Sequence, residues 1–127
     1  LYISTHQHPL YPGTGATTPE GVDNILDLPL EAGCDGRRLL AVMETAVVPA
    51  LDAFRPQLLL ISAGFDAHRD DPLAGLALTA ADFGRITRSL VAVAGRHCRG
   101  RVVSALEGGY CLEALADSVL EHVTALA

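Results

Sequence analysis

The sequence predicts an α/β domain, a mainly parallel β-sheet covered by helices. Two observations predict it. Short aliphatic runs alternate with stretches in which apolar residues recur at helical spacing, giving strand, helix, strand, helix, strand, helix. The central run, Leu58-Leu59-Leu60-Ile61, is too short for a helix and does not alternate, the pattern of a strand buried on both faces. It stops at Ser62-Ala63-Gly64, so Phe65, Asp66 and His68 fall on a loop past its carboxyl end. Open α/β sheets bind their ligands there.

Leu1 to Ser4 reads as a short strand, and Thr5 to Gly21, punctuated by Pro and Gly, as a long loop with a Pro12-Gly13 turn. Ile25 to Leu30 alternates partly and contains Pro29, which leaves a short edge strand or an extended loop. Gly33 to Gly36 is a turn. From Arg37 to Phe54, Leu39, Leu40, Met43, Val47 and Leu51 keep helical spacing, and Pro49 is expected to kink that helix or divide it. The strand from Leu58 to Ser62 follows. Thr79-Ala80-Ala81-Asp82 has the form of a capping box with Asp in place of Glu, and it starts a helix from about Ala80 to Cys98. Its inner face should carry Phe83, Ile86, Leu90 and Val93. Arg101 to Leu106 is a Val-rich strand, Glu107 to Tyr110 a loop, and Leu112 to Leu126 a helix expected to bury Leu115, Val119 and Val123.

A chain of 127 residues has room for one core, and no internal repeat or boundary divides it. Half of it is hydrophobic, which argues against disorder. The net charge of −6 comes without a basic run, against a nucleic-acid groove. No apolar run approaches the roughly 20 residues of a membrane span, and no signal peptide is visible. Cys34, Cys98 and Cys111 are odd in number and lack a CxxC pair, so a reducing cytoplasm is expected rather than disulfides or a cysteine-zinc cluster. The chain opens on Leu1 inside a strand-like run, so a further N-terminal portion is expected.

Parallel strands point one way, so the polar clusters after them should share one rim: Ser4-Thr5-His6, Asp66-Ala67-His68 and Glu107-Gly108-Gly109-Tyr110. Asp66 can be a zinc ligand or the side-chain cap of a turn. Tyr110 can donate to a developing oxyanion or pack on its own helix. Gly108-Gly109 can admit a ligand to the backbone, including a phosphate, although no GxGxxG or P-loop pattern is present. His6 and His8 can bind a metal or sit in a polar loop, His68 can be a ligand or a hydrogen-bonded side chain, and Glu107 can be a base or a charge orienting the loop. Tyr11 can be a lid aromatic or a loop anchor. Cys98 and Cys111 look like ordinary thiols.

Ser62-Ala63-Gly64-Phe65-Asp66-Ala67-His68, followed by Asp71-Pro72-Leu73 and then by Glu107-Gly108-Gly109-Tyr110, resembles the C-terminal portion of zinc-dependent histone deacetylases and acetylpolyamine amidohydrolases. The loop Pro9-Leu10-Tyr11-Pro12-Gly13-Thr14-Gly15 is similar to a loop of the same family. The resemblance implies an arginase-like three-layer α/β sandwich around a mainly parallel sheet, incomplete at its N-terminus, with 1–127 as the C-terminal part of one deacetylase-like domain. It implies that Asp66 is one of three zinc ligands and that Tyr110 stabilises the tetrahedral intermediate. It implies that Tyr11 lines an acyl-lysine tunnel, that Gly108 and Gly109 line the pocket floor, and that Ser4 with the Thr5 carbonyl helps hold a potassium ion. The implied substrate is acetyl-lysine or an acetylpolyamine. The family's Asp-x-His ligand motif and its paired catalytic histidines have no counterpart among these residues, and His6-Gln7-His8 is no substitute. The chain alone is therefore expected to be inactive. Two other readings are a non-catalytic binding module that keeps the tunnel rim, and an unrelated α/β domain that binds a nucleotide at Gly108-Gly109.

Overall fold

The computed structural model describes residues 1–18 and 23–127. Residues 19–22, the end of the expected long loop, lie outside the described residues.

Among the described residues four strands form two parallel pairs. Strand β1 (Tyr2–Gln7) pairs with β2 (Ile25–Leu30), Ser4 facing Asp27 and Gln7 facing Leu30. Strand β3 (Leu59–Ala63) pairs with β4 (Val102–Leu106), Leu59 facing Val102 and Ala63 facing Leu106. The segment at 25–30, open between strand and loop in the sequence, is thus a strand. Its ladder carries β1 on to Gln7, so Ser4, Thr5 and His6 lie within a strand and not just past the end of one. That corrects the expected boundary at Ser4. The cause is long-range: a partner running parallel through Leu30 gives polar Thr5 and His6 a ladder to join.

A second correction concerns β3, which is not buried on both faces. Leu59 and Ala63 are buried, whereas Leu60 is 69% exposed and Ser62 is exposed. On β4, Val103 is exposed as well. Helices pack on the Leu59–Ile61–Ala63 face, and among the described residues nothing covers the face that carries Leu60 and Val103. An aliphatic run records what a strand is suited to bury; the neighbours decide what it does bury.

Helix α1 (Gly36–Val42) starts at Asp35, whose Oδ1 accepts the Arg38 N–H at 2.9 Å. It widens into a π-helical turn over Met43–Val47 and resumes as α2 (Val48–Phe54). Pro49 sits at the start of α2. It has no N–H to return to the turn behind it, and a wider turn accommodates its ring. The expected division is therefore present, made by a bulge. Helix α3 (Ala80–His97) begins at the expected box: the Thr79 N–H and hydroxyl both donate to Asp82 Oδ2, at 2.9 and 2.7 Å. Its inner face carries Phe83 and Val93 as expected, both buried.

Helix α4 (Leu112–Leu126) has the expected limits but a different buried row. Ala114, Ser118 and His122 are buried; Leu115 and Val119 pack partly, and Val123 is 53% exposed. The helix is rotated so that His122 reaches inward between α3 and β4. Among the described residues the core has two clusters, one around Leu39, Phe65, Leu78 and Phe83, the other around Met43, Val47, Leu59, Val93 and Cys98. Each buried Leu, Val or Phe contributes about 1.5–3 kcal/mol relative to exposure. Phe65, the residue before Asp66, stacks tilted on Phe83 with ring centroids 5.1 Å apart, which locks the start of the loop after β3.

Candidate functional site

The carboxyl ends of β3 and β4 are tied together before their loops diverge. The Glu107 N–H donates to Ala63 O at 3.0 Å, and the Phe65 N–H to Gly108 O at 2.8 Å. Those bonds hold the Asp66 loop against the Gly108-Gly109 turn. A Cβ at Gly108 would lie 2.6 Å from Asp66 Cγ, and one at Gly64 would lie 2.9 Å from Asp66 Oδ1. The Asp66 carboxylate thus occupies the space that side chains at 64 and 108 would take, which explains both glycines. Asp66 is half-buried. Burial pushes its carboxyl above the usual carboxylate range, the nearby Asp71 charge adds to the rise, and a hydrogen bond from its own backbone opposes it. Among the described residues no Lys, Arg or His pairs with it.

Tyr110 leaves the same rim. Gly109 before it has φ +139°, a region that favours glycine. The Tyr110 N–H donates to Asp71 Oδ2 at 2.8 Å, while Asp71 Oδ1 accepts the Leu73 N–H at 2.9 Å. The side chain of Tyr110 is exposed, and Asp71 is buried.

A groove of about 1120 Å³ runs between β1 and β3. Ser4, Thr5, Tyr11, Asp66 and Gly108 line it; Gly109 and Tyr110 stand outside its wall. Ser4 Oγ lies 2.8 Å from His6 Nδ1, and His6 Nε2 lies 3.0 Å from Gly15 O. A carbonyl only accepts, so Nε2 carries the proton, Nδ1 accepts, and the Ser4 hydroxyl donates to it. The Ser4 lone pairs then remain available to a cation. His6 is thereby engaged within the fold, pinning the Tyr11 loop to β1, and Tyr11 itself is exposed at the groove mouth.

His68 is buried, and its Nδ1 accepts the Asp70 N–H at 3.1 Å. Its Nδ1 is thus engaged within its own loop, and His68 is not among the residues lining the groove. Cys34 and Cys98 are buried thiols and Cys111 is half-buried. A second concavity, about 490 Å³, lies beside the start of α4 and is lined by Asp70, Glu113 and Asp117 with Arg69. Three carboxylates against one guanidinium make that concavity a poor cradle for phosphate. No helix among the described residues is long and apolar enough to cross a membrane.

Sequence reasoning passed over Asp71 as a functional position. Its signal was present, an Asp-Pro pair of the kind that caps its own turn, but the second oxygen's reach to Tyr110 is tertiary. His122 was missed outright. Its Nδ1 lies 2.7 Å from Thr87 Oγ1 and its Nε2 2.9 Å from Ser104 Oγ. The Thr87 hydroxyl already donates to Phe83 O at 2.7 Å, so Nδ1 carries the proton and Nε2 accepts from Ser104. Burial lowers the His122 pKa.

A family model described as the histone deacetylase domain matches residues 1–126. A probable deacetylase of Archaeoglobus fulgidus is 42% identical over 132 residues, covering 100% of this chain and 37% of that protein. Histone deacetylase 14, chloroplastic, of Arabidopsis thaliana is 40% identical, covering 99% of this chain and 31% of the relative. The crystal structure of the HDA15 HD domain superposes with a TM-score of 0.89 at 35% identity, covering 99% of this chain and 37% of the other. The histone deacetylase Clr3 structure gives 0.89 at 29% identity, covering 99% and 22%. The chain thus spans about two-fifths or less of the proteins it matches, and its fold is part of the arginase-like deacetylase α/β fold.

Proposed function

The chain belongs to the histone deacetylase family, and on that premise we propose that it is the C-terminal part of one zinc-dependent amidohydrolase domain, hydrolysing the acetyl amide of acetyl-lysine or an acetylpolyamine to amine and acetate. One observation carries the reading. The Asp66 carboxylate is half-buried at the strand rim, held against Gly108, with no cationic side chain beside it among the described residues. An ionised carboxylate in that setting is stabilised by a cation.

The donor chemistry fits zinc at one position. Carboxylate oxygen is a zinc ligand, and a catalytic site takes about three protein ligands. Among the described residues no three His, Cys, Asp or Glu side chains gather as a site. Asp66 is therefore assigned as one ligand, and the others, with the general base, are assigned to residues outside this chain. Ser4, with the Thr5 carbonyl, is assigned to a potassium ion on the same footing; the free lone pairs of the Ser4 hydroxyl support it. Bound zinc supplies Lewis acidity toward the amide carbonyl and lowers the pKa of water.

The remaining roles belong to this chain. The Tyr110 phenol donates a hydrogen bond to the carbonyl oxygen as negative charge develops on it. Tyr11 forms an aromatic wall along the aliphatic stem of the substrate. Gly108 and Gly109 are assigned to the pocket floor near the acetyl group, where the bare backbone of Gly108 lets the Asp66 carboxylate pack against it. The groove between β1 and β3 is assigned to a further strand of the same domain, which would pair with the open edges of both. The free cysteines agree with a reducing cytoplasm.

The test uses the longer protein that carries the whole domain. Tyr110→Phe should lower kcat on an acetyl-lysine peptide by roughly 10²–10³-fold with zinc retained. Asp66→Ala should lose stoichiometric zinc by elemental analysis. Unchanged turnover in Tyr110→Phe ends that assignment, and a folded protein without zinc favours the non-catalytic binding module.

A further inference from the structure

We propose that Asp71 is a positioning residue for Tyr110, fixing the backbone from which the phenol reaches the reacting carbonyl. Its catalytic consequence rests on the deacetylase reading above; the structural tie does not.

Asp71 is 8% exposed and forms no ion pair among the described residues. Its charge is met by N–H donors instead. Oδ1 accepts from Leu73, two residues on, which is an ordinary turn cap. Oδ2 crosses to the Tyr110 N–H, 39 residues away, at 2.8 Å. A turn cap needs only the first bond. The second joins the loop after β3 to the loop after β4, and charge assistance strengthens it.

Tyr110 depends on that tie more than most residues would. Gly108 and Gly109 precede it and offer no side chains to hold the turn, and Gly109 sits at φ +139°. The Tyr110 side chain is 55% exposed, and its hydroxyl makes no hydrogen bond among the described residues. The position of the phenol is thus inherited from its backbone. Asp66 is carried by the same loop as Asp71, so the carboxylate that anchors Tyr110 also sets its distance from Asp66.

The experiment uses the longer protein carrying the whole domain. In Asp71→Ala, amide hydrogen exchange in the peptide spanning residues 107–112 should quicken, with zinc content unchanged. On an acetyl-lysine peptide kcat should fall on the order of 10²-fold, the scale of a misplacement of about 1 Å, while KM changes less than about 2-fold. In a Tyr110→Phe background the same substitution should cost little more, because Asp71 acts through the phenol. Unchanged exchange in residues 107–112 overturns the proposal, as does an equal loss of kcat in both backgrounds. If Asp71→Ala does not fold, Asp71→Asn replaces it. The amide keeps the size but turns an NH2 toward one of the two N–H donors, and exchange should rise there too. No turnover in the unsubstituted protein would refute the deacetylase reading instead, and the exchange measurement would still decide the tie.

Discussion

His122 shows how much one side chain can bind together. It stands on α4, donates to Thr87 of α3 and accepts from Ser104 of β4, and its ring meets Phe65 edge-on with centroids 5.6 Å apart. Helix, helix, strand and the residue before Asp66 therefore share one imidazole. Burial lowers its pKa below the ordinary 6.5, so the unfolded chain takes up the proton first as pH falls. The stability linked to His122 is full above about 6.5 and is lost as pH drops from there toward the folded value. Chemical denaturation at pH 7.5 and pH 5.5 should show it: the midpoint falls at the lower pH, and His122→Gln reduces that fall. An equal fall in the variant would place the pH response elsewhere.

At the scale of elements, the starts of α1 and α3 are interlocked. The Asp82 carboxylate caps α3 and also fills the space beside Gly36, where a Cβ would collide with it. Gly36 does not have a positive φ, so an alanine there is permitted by the backbone and would ordinarily stabilise a helix by about 0.4–1 kcal/mol. Here Gly36→Ala should destabilise instead, by about 1 kcal/mol or more, because it displaces a cap of that value. In an Asp82→Ala background the sign should revert, which a double-mutant cycle of thermal midpoints would reveal. Additive effects would mean that the two helix starts are independent. The Thr79–Asp82 box could be read from four consecutive residues because a cap is local. Its contact with Gly36 could not, since 46 residues of chain must fold to bring the two helix ends together.

For the whole molecule, the question is what lies along the open edges of β1 and β3. Helices cover one face of the β3–β4 pair, and Leu60 and Val103 stand on the other. If further elements of the domain extend the sheet and also pack on that second face, Leu60 is buried in the longer protein. Leu60→Asp should then lower its thermal midpoint sharply, since a buried unpaired charge is costly. The same substitution in residues 1–127 alone should change little, because Leu60 is already in water. A mild effect in both would show that this face stays in solvent.

Local pattern was enough to delimit most of the elements and the part of the rim that follows β3 and β4. Periodicity, Pro49, the Thr79–Asp82 box, and Gly64 and Gly100 beside the central strands are local; they marked α3, α4, β3 and β4 within a residue or two and the break before α2. The same locality marked Asp66 and Tyr110 as residues that follow strands, and the family motifs sit on those strand ends. Tertiary structure decided what depends on partners distant in the chain. It made 25–30 a strand by pairing it with β1 and carried Ser4 and Thr5 inside a ladder. It turned α4 toward His122, left Leu60 in solvent, and joined Asp71 to Tyr110. Each of these is settled by which surface arrives opposite, and that surface is contributed by residues tens of positions away, beyond the reach of any local pattern.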